Sequence, residues 1–439
     1  MKFSRQRPRA PRLLALAIAL LSCSSGEVDF GCSPTPSCSL HPERFEPKEV
    51  ADAGPPRCGE SRRGRQRCPA EDIAAGAHHS CGRTPAGELL CWGHNDSGQL
   101  GHQRSADAGV SDAGFTPVLE GTAEVSAGGS HSCAIDAEGA VHCFGDNSEG
   151  QLDGAPSDER FRSDVLDLAS DMRATQVSAG GNHSCALLGD RVYCWGDGRH
   201  GQCGRERSEG ALVPAEVPGV EDAVEISAGL RHSCARLKSD RVLCWGELFD
   251  GQALRATAEP QPVEGLDDAQ EIAAGAGFSC ALRAAGSVVC WGENGSGQLG
   301  DGSTEPSATP VEVLDLELAL SIAAGGLELG GQLVGHACAQ TKSFFVQCWG
   351  RNHEGQLGAP NAENIPRAVV VRGEAGEEDD EPFLPDVIGI AAGGLHSCAI
   401  DHDGPVLCWG DDSQDQLGSR ERTTFGHPSE VRLFGGEYR

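Results

Sequence analysis

Fourteen cysteines recur in pairs along the chain, nine or ten residues apart: Cys81 with Cys91, Cys133 with Cys143, Cys185 with Cys194, Cys234 with Cys244, Cys280 with Cys290, Cys338 with Cys348 and Cys398 with Cys408. In most pairs a His-Ser step precedes the first cysteine, giving His79, His131, His183, His232 and His396. Thiols beside imidazoles could oxidise to disulfides, bind zinc, or form a Cys–His nucleophile. A catalytic thiol is normally single, whereas this one recurs sevenfold. Zinc would need a fourth ligand in every unit, and Phe278 stands where one unit would carry its histidine. Disulfides are therefore the expected chemistry, with zinc the lesser alternative. The recurring His-Ser reads as hydrogen bonding to neighbouring backbone, not as reactive groups.

The pairs imply hairpins that hold them. Setting Cys133 opposite Cys143 leaves Ala137-Glu138-Gly139 as a three-residue loop, with glycine where a type I turn plus bulge needs positive φ. Pro85-Ala86-Gly87 serves likewise in the first unit. In the third unit the cysteines are one residue closer, and the loop shortens to Gly189-Asp190. The turn absorbs the deletion and leaves Cys185 opposite Cys194 as a non-hydrogen-bonded pair, where Cα atoms are close enough to bridge. In the chain-entropy description each such bond contributes at most about 2.5–3 kcal/mol. Cys203 is left over; it occupies a leucine position of the repeat and reads as a small buried apolar residue.

Around the hairpins, polarity changes with a period near two: Val224 and Ile226 alternate with charged residues, and runs such as Arg241 to Trp245 are bounded by turn residues. Pro-containing stretches such as Thr309 to Val313 read as outer edge strands. Each unit thus supplies about four strands. Sixty glycines and 5% aromatics suit short strands and tight turns better than a helical bundle.

Upstream of the repeat, residues 1–12 carry five basic side chains and no acidic ones, Leu13 to Leu21 are apolar, and Ser22-Cys23 follows. Nine apolar residues are too few to span a bilayer, so residues 1–22 read as a signal peptide. Leu20-Leu21-Ser22-Cys23 resembles a bacterial lipobox, with Cys23 acylated; ordinary cleavage and secretion is the alternative. Residues 23–70 read as an extended Cys/Pro-rich tether, with Cys32–Cys38 and Cys58–Cys68 the simplest pairings among three connectivities. Residues 71–434 form the repeat domain and 435–439 a tail. Without the leader, 65 acidic side chains face 30 basic ones, a surface that disfavours nucleic acid and anionic lipid. Twenty cysteines place the chain in an oxidising compartment.

The units share one string, seen in AGGSHSCAIDAEGAVHCFGDNSEGQL (second) and AGAGFSCALRAAGSVVCWGENGSGQLG (fifth). Seven copies of about 52 residues fill the domain. The string resembles the regulator-of-chromosome-condensation repeat, and the chain is similar to an exported bacterial lipoprotein member of that family. The resemblance implies an all-β, seven-bladed propeller with about four antiparallel strands per blade. Phe144, Phe278 and the ending Gly251 to Leu254 depart from the pattern. The family's eukaryotic founder acts on a small GTPase and chromatin, partners an exported acidic chain does not meet, so that activity is not carried over.

The expected function is a membrane-tethered, monomeric protein-binding or scaffolding module of the cell envelope, with no enzyme activity, cofactor or metal. An exported enzyme or carbohydrate-binding propeller with a site at the channel mouth is the alternative. The end carrying the loops before His-Ser-Cys and after Trp-Gly is expected to meet the partner, through Leu327, Leu329 and Leu333 of an insertion in unit six and through Phe249, His200 and His353. The opposite end, with its small and charged hairpin tips, is the less favoured face.

Overall fold

A computed structural model describes residues 59–60, 66–67, 70–101, 118–157, 166, 168, 173–205, 212–359, 361–372, 384, 386–402, 405–418 and 425–431. The leader, Cys23, Cys32, Cys38, Cys58, Cys68 and the connections at 102–117 and 373–383 lie outside the described residues. Within the stretch read as a tether, Gly59–Glu60 pairs antiparallel with Gln66–Arg67. No helix occurs among the described residues.

The repeat folds as seven antiparallel sheets, the blades of a propeller, each built from consecutive strands. Blades three to seven have four strands; blades one and two show three among the described residues. In blade four the order is Ala223–Ala228, His232–Leu237, Val242–Phe249, Leu254–Pro262. The Ala-Gly ends of the first strands, from Ala75-Gly76 round to Ala392-Gly393, line a central channel. The hairpin tips of blades one to six each hold the start of the next blade: Thr122 donates to Gly87, Ala223 to Asp190 and Ala319 to Gly286. Tips and inter-blade connections therefore share one end of the propeller. The loops flanking the second strand's start share the other, as in the 2.9 Å bond from His94 N to His78 O.

The cores lie between blades. One cluster joins Cys133, Ile135 and Leu152 of blade two to Val177, Leu188 and Trp195 of blade three. The tryptophan cap recurs: Trp195, Trp245 and Trp409 donate to the carbonyls of Gln151, Gln202 and Gln356 in the preceding unit. The ring closes by the same means. Ile73 and Trp92 of blade one pack with Ile400, Leu417 and Val431, and Trp92 donates to Gln416 O at 3.0 Å.

All seven cysteine pairs are disulfides, one within each blade. Cys81 bonds Cys91, Cys133 bonds Cys143, Cys185 bonds Cys194 and Cys234 bonds Cys244. Cys280 bonds Cys290, Cys338 bonds Cys348 and Cys398 bonds Cys408. Their Cα atoms are 4.0–4.1 Å apart. Each pair sits directly opposite across the hairpin of the second and third strands, as Cys234 faces Cys244, Cys280 faces Cys290 and Cys338 faces Cys348. The shortened hairpin keeps the same arrangement, with Leu188 facing Arg191 and Cys185 facing Cys194. Cys203 is buried, and its S–H points at Asp197 O, 3.3 Å away. Burial pushes that thiol up to about 12, so it stays protonated and unreactive.

Candidate functional site

The recurring His-Ser steps form a belt that stitches blade to blade. His79 Nε2 lies 2.8 Å from Ser132 Oγ, His131 2.9 Å from Ser184, His183 2.8 Å from Ser233, and His232 2.8 Å from Ser279. His336 reaches Ser397 and His396 reaches Ser80, each at 2.8 Å, the last contact spanning the closure. Ser132, Ser184, Ser233 and Ser397 donate to the carbonyls of Gln99, Gln151, Gln202 and Gln356. A hydroxyl already donating must accept from the imidazole, which places the histidine proton on Nε2 and leaves Nδ1 bare. In all six histidines Nδ1 is buried without a partner. Burial drives their pKa values to about 3 for His79, His183 and His396 and to about 4 for His131, His232 and His336. These are structural pins, neutral at any physiological pH.

One junction lacks the tie. Between blades five and six the histidine position is Phe278 and the serine position Ala337, and Phe278 lies in the core cluster that includes Ala337. Both partners of a buried hydrogen bond are replaced together, so neither is left unsatisfied. Reading one unit at a time shows two unrelated departures; only the step from one unit to the next makes them a pair.

A second set of side chains was legible but not singled out: Asp72, Glu124, Gln176, Glu225 and Glu271, at the same place in successive first strands. They face the next blade and cap its backbone, as in the 2.9 Å bond from Ile272 N to Glu225 Oε1 and the 2.7 Å bond from Ile226 N to Gln176 Oε1. Burial, with Asp72 beside it, pushes Glu124 up to about 8; burial, with Glu225 nearby, raises Glu271 to about 7.

The expected partner-binding residues fall into two groups. The insertion in unit six, read as a loop, is a hairpin that prolongs the first and second strands of blade six to Ala319–Leu329 and Gln332–Thr341. Leu327 is buried against Val334 and Leu395. Leu333 is half-buried over Gly277 of blade five, where an added Cβ would come within 2.5 Å of Leu333 Cδ1. Glu328 pairs with Arg231 of blade four. The hairpin therefore lies across the loop end from blade seven toward blade four, with Leu329 on its exposed tip. His200 Nδ1 sits 3.2 Å from Glu247 Oε1, and His353 is exposed. Phe249 is half-buried opposite Leu254, because the departing end of unit four is a continuous hairpin of third and fourth strands. Leu329 and His353 thus present themselves to solvent, Leu333, Phe249 and His200 only in part, and Leu327 supports them from beneath. Among the described residues no group of His, Cys, Asp or Glu is arranged to hold a metal ion.

A family model described as an RCC1-like domain matches residues 31–329, and two models of the regulator-of-chromosome-condensation repeat match 346–400 and 387–416. The chain is 27% identical over 367 residues to the human E3 ubiquitin-protein ligase HERC2, covering 81% of this chain and 6% of that protein. It is 30% identical over 183 residues to the Arabidopsis thaliana ultraviolet-B receptor UVR8, covering 41% of this chain and 42% of that one. The chain thus spans well under two thirds of these relatives. Among solved structures, human WBSCR16 shares the fold with a TM-score of 0.64 at 21% identity, over 78% of this chain and 94% of that one. Prp20p from Saccharomyces cerevisiae, whose structure was described with its binding to Gsp1p and histones, gives 0.60 at 21% identity, over 75% and 81%.

Proposed function

The chain belongs to the RCC1-like domain family, and from that premise we propose that it is an extracytoplasmic, lipid-tethered propeller that acts as a protein-binding scaffold in the cell envelope. The observation that carries this reading is the sevenfold disulfide set, since such bonds form and persist in oxidising compartments. It agrees with a leader of signal-peptide pattern ending at Cys23. The belt histidines and serines, which could have offered chemistry, are spent on holding blades together. The partner is a protein and not a nucleic acid, in keeping with the acidic surface. Its contact face is the loop end, where Leu329 and His353 stand exposed.

Two experiments test this. Cys23→Ala should move the protein from the membrane fraction to the soluble one; continued sedimentation with membranes removes the tether from the reading. Replacing residues 328–333 by Asn-Gly keeps Leu327 opposite Val334 and closes a two-residue turn. That variant should melt within a few degrees of the parent yet lose its cross-linked envelope partner. Undiminished cross-linking would place the contact elsewhere.

A further inference from the structure

The short ladder ahead of the first blade repeats the register of the blades. In it Gly59 faces Arg67 and Glu60 faces Gln66. In blade two, Ala134 faces His142 and Ile135 faces Val141, the two rungs that follow the bonded pair Cys133–Cys143 toward the tip. Blade five has the same two rungs inside Cys280–Cys290, with Ala281 facing Val289 and Leu282 facing Val288. The residues that flank the short ladder are Cys58 and Cys68, with a separation of 10, as in every blade disulfide but the shortened one. Gly64 follows Cys58 at the interval that leads from Cys81 to Gly87, Cys133 to Gly139 and Cys280 to Gly286. Those three tip glycines have φ of 77°, 83° and 90°.

Equal loop length and equal rungs give the ladder equal phase. The rung outside Gly59 and Arg67 is therefore of the kind that carries every blade disulfide, where Cα atoms are close enough to bridge. The residue types differ from those of the blades. Glu60 and Gln66 stand where Ile135 and Val141 are buried, so the rungs offer no apolar face to a core. Two strands alone are marginal in water, and a cross-link that restricts the unfolded chain stabilises them. The cysteine count agrees. Of twenty cysteines, fourteen are bonded within blades, Cys203 is buried and protonated, and Cys23 is the proposed acyl site. Cys32, Cys38, Cys58 and Cys68 remain.

We infer that Cys58 and Cys68 form an eighth disulfide, closing a hairpin of blade design that belongs to no blade, and that Cys32 is thereby left to Cys38. The bond requires the oxidising compartment proposed for the chain, so it rests on that reading. Its formation passes two electrons and two protons to a disulfide-bearing oxidant. The thiolate of one cysteine attacks the oxidant's S–S bond, the second cysteine displaces the mixed disulfide, and the oxidant leaves as a dithiol. Residues 24–57 are then the tether, and the basic run of Arg62, Arg63 and Arg65 falls within a closed loop.

The test uses the full exported chain, with free thiols blocked before digestion. Without reduction, trypsin and a glutamyl protease should release the peptide 58–60 joined to the peptide 68–71. Unfolded in denaturant, the parent should offer maleimide one thiol, Cys203, and the Cys58→Ser variant two, the second on Cys68. The melting curve of the propeller should be the same in both. Cys58 joined to Cys32 or Cys38, or Cys58 and Cys68 both blocked while the blade links are intact, would overturn the inference alone. Absence of this link and the blade links together would overturn the compartment reading with it.

Discussion

At the residue scale the propeller is specified by pairs that reach across blades. The substitutions at Phe278 and Ala337 make one junction a natural double variant. Phe278→His alone should bury an imidazole without an acceptor for Nε2–H and cost about 2 kcal/mol, beyond any loss of packing. Adding Ala337→Ser should return about 1 kcal/mol, measured by denaturant unfolding of the oxidised protein as a double-mutant cycle. Strict additivity would show that no tie re-forms. The histidine role was legible as far as repetition can carry it: a group present in blade after blade is structural. Its partner was not, because the serine it meets belongs to the next unit, about fifty residues on, and a pattern read within one unit cannot show it.

At the element scale the sequence carried most of the fold. Turn residues and cysteine spacing placed every second-to-third-strand hairpin, including the shortened one of unit three. What it concealed were extensions and slips. The insertion at 327–335 carries Gly330-Gly331, a two-residue hairpin signal hidden by its place in a connecting loop, and the pair of strands continues through it. Register slips at the start of the first strand in blades two to seven cannot be read from alternation, since one extra residue reverses which face a side chain takes. That is why the tip end looked small and charged, while its exposed Leu318, Leu320 and Ile388 come from the strand starts. Mapping of non-reduced peptides should return seven within-blade links, from Cys81–Cys91 to Cys398–Cys408; any link between blades would contradict the register.

At the scale of the whole molecule two properties follow from the ring. The first is closure: removing residues 426–439 takes Val431 from the cluster that joins blades seven and one, and should lower the melting temperature of the entire domain, not of one blade. The second is a pH optimum. The six belt histidines have folded pKa values of about 3–4, below the unfolded value of 6.5, so their contribution is complete above pH 6.5 and is lost as pH falls toward 4. Glu124 and Glu271 act in the opposite sense: raised to about 8 and 7, they favour the fold at low pH and weaken it as pH rises through neutrality. Burial also raises Asp72, Glu225 and Glu293, but the six histidines outnumber these five carboxylates, so stability should climb from about pH 4.5 to 6.5 and stop climbing above it. Chemical unfolding across that range measures it, and a flat profile would show that the histidines are not neutral pins. The unpaired thiol bears on how the ring is made. Cys203 follows Cys194 by nine residues, the same interval that separates Cys185 from its partner. An emerging chain that oxidises neighbouring cysteines in order finds the partner of Cys185 next in line, but Cys203 then offers Cys194 a second thiol at the same spacing. Cys203→Leu, which restores the residue of the repeat, should therefore raise the yield of correctly oxidised protein without altering the finished fold.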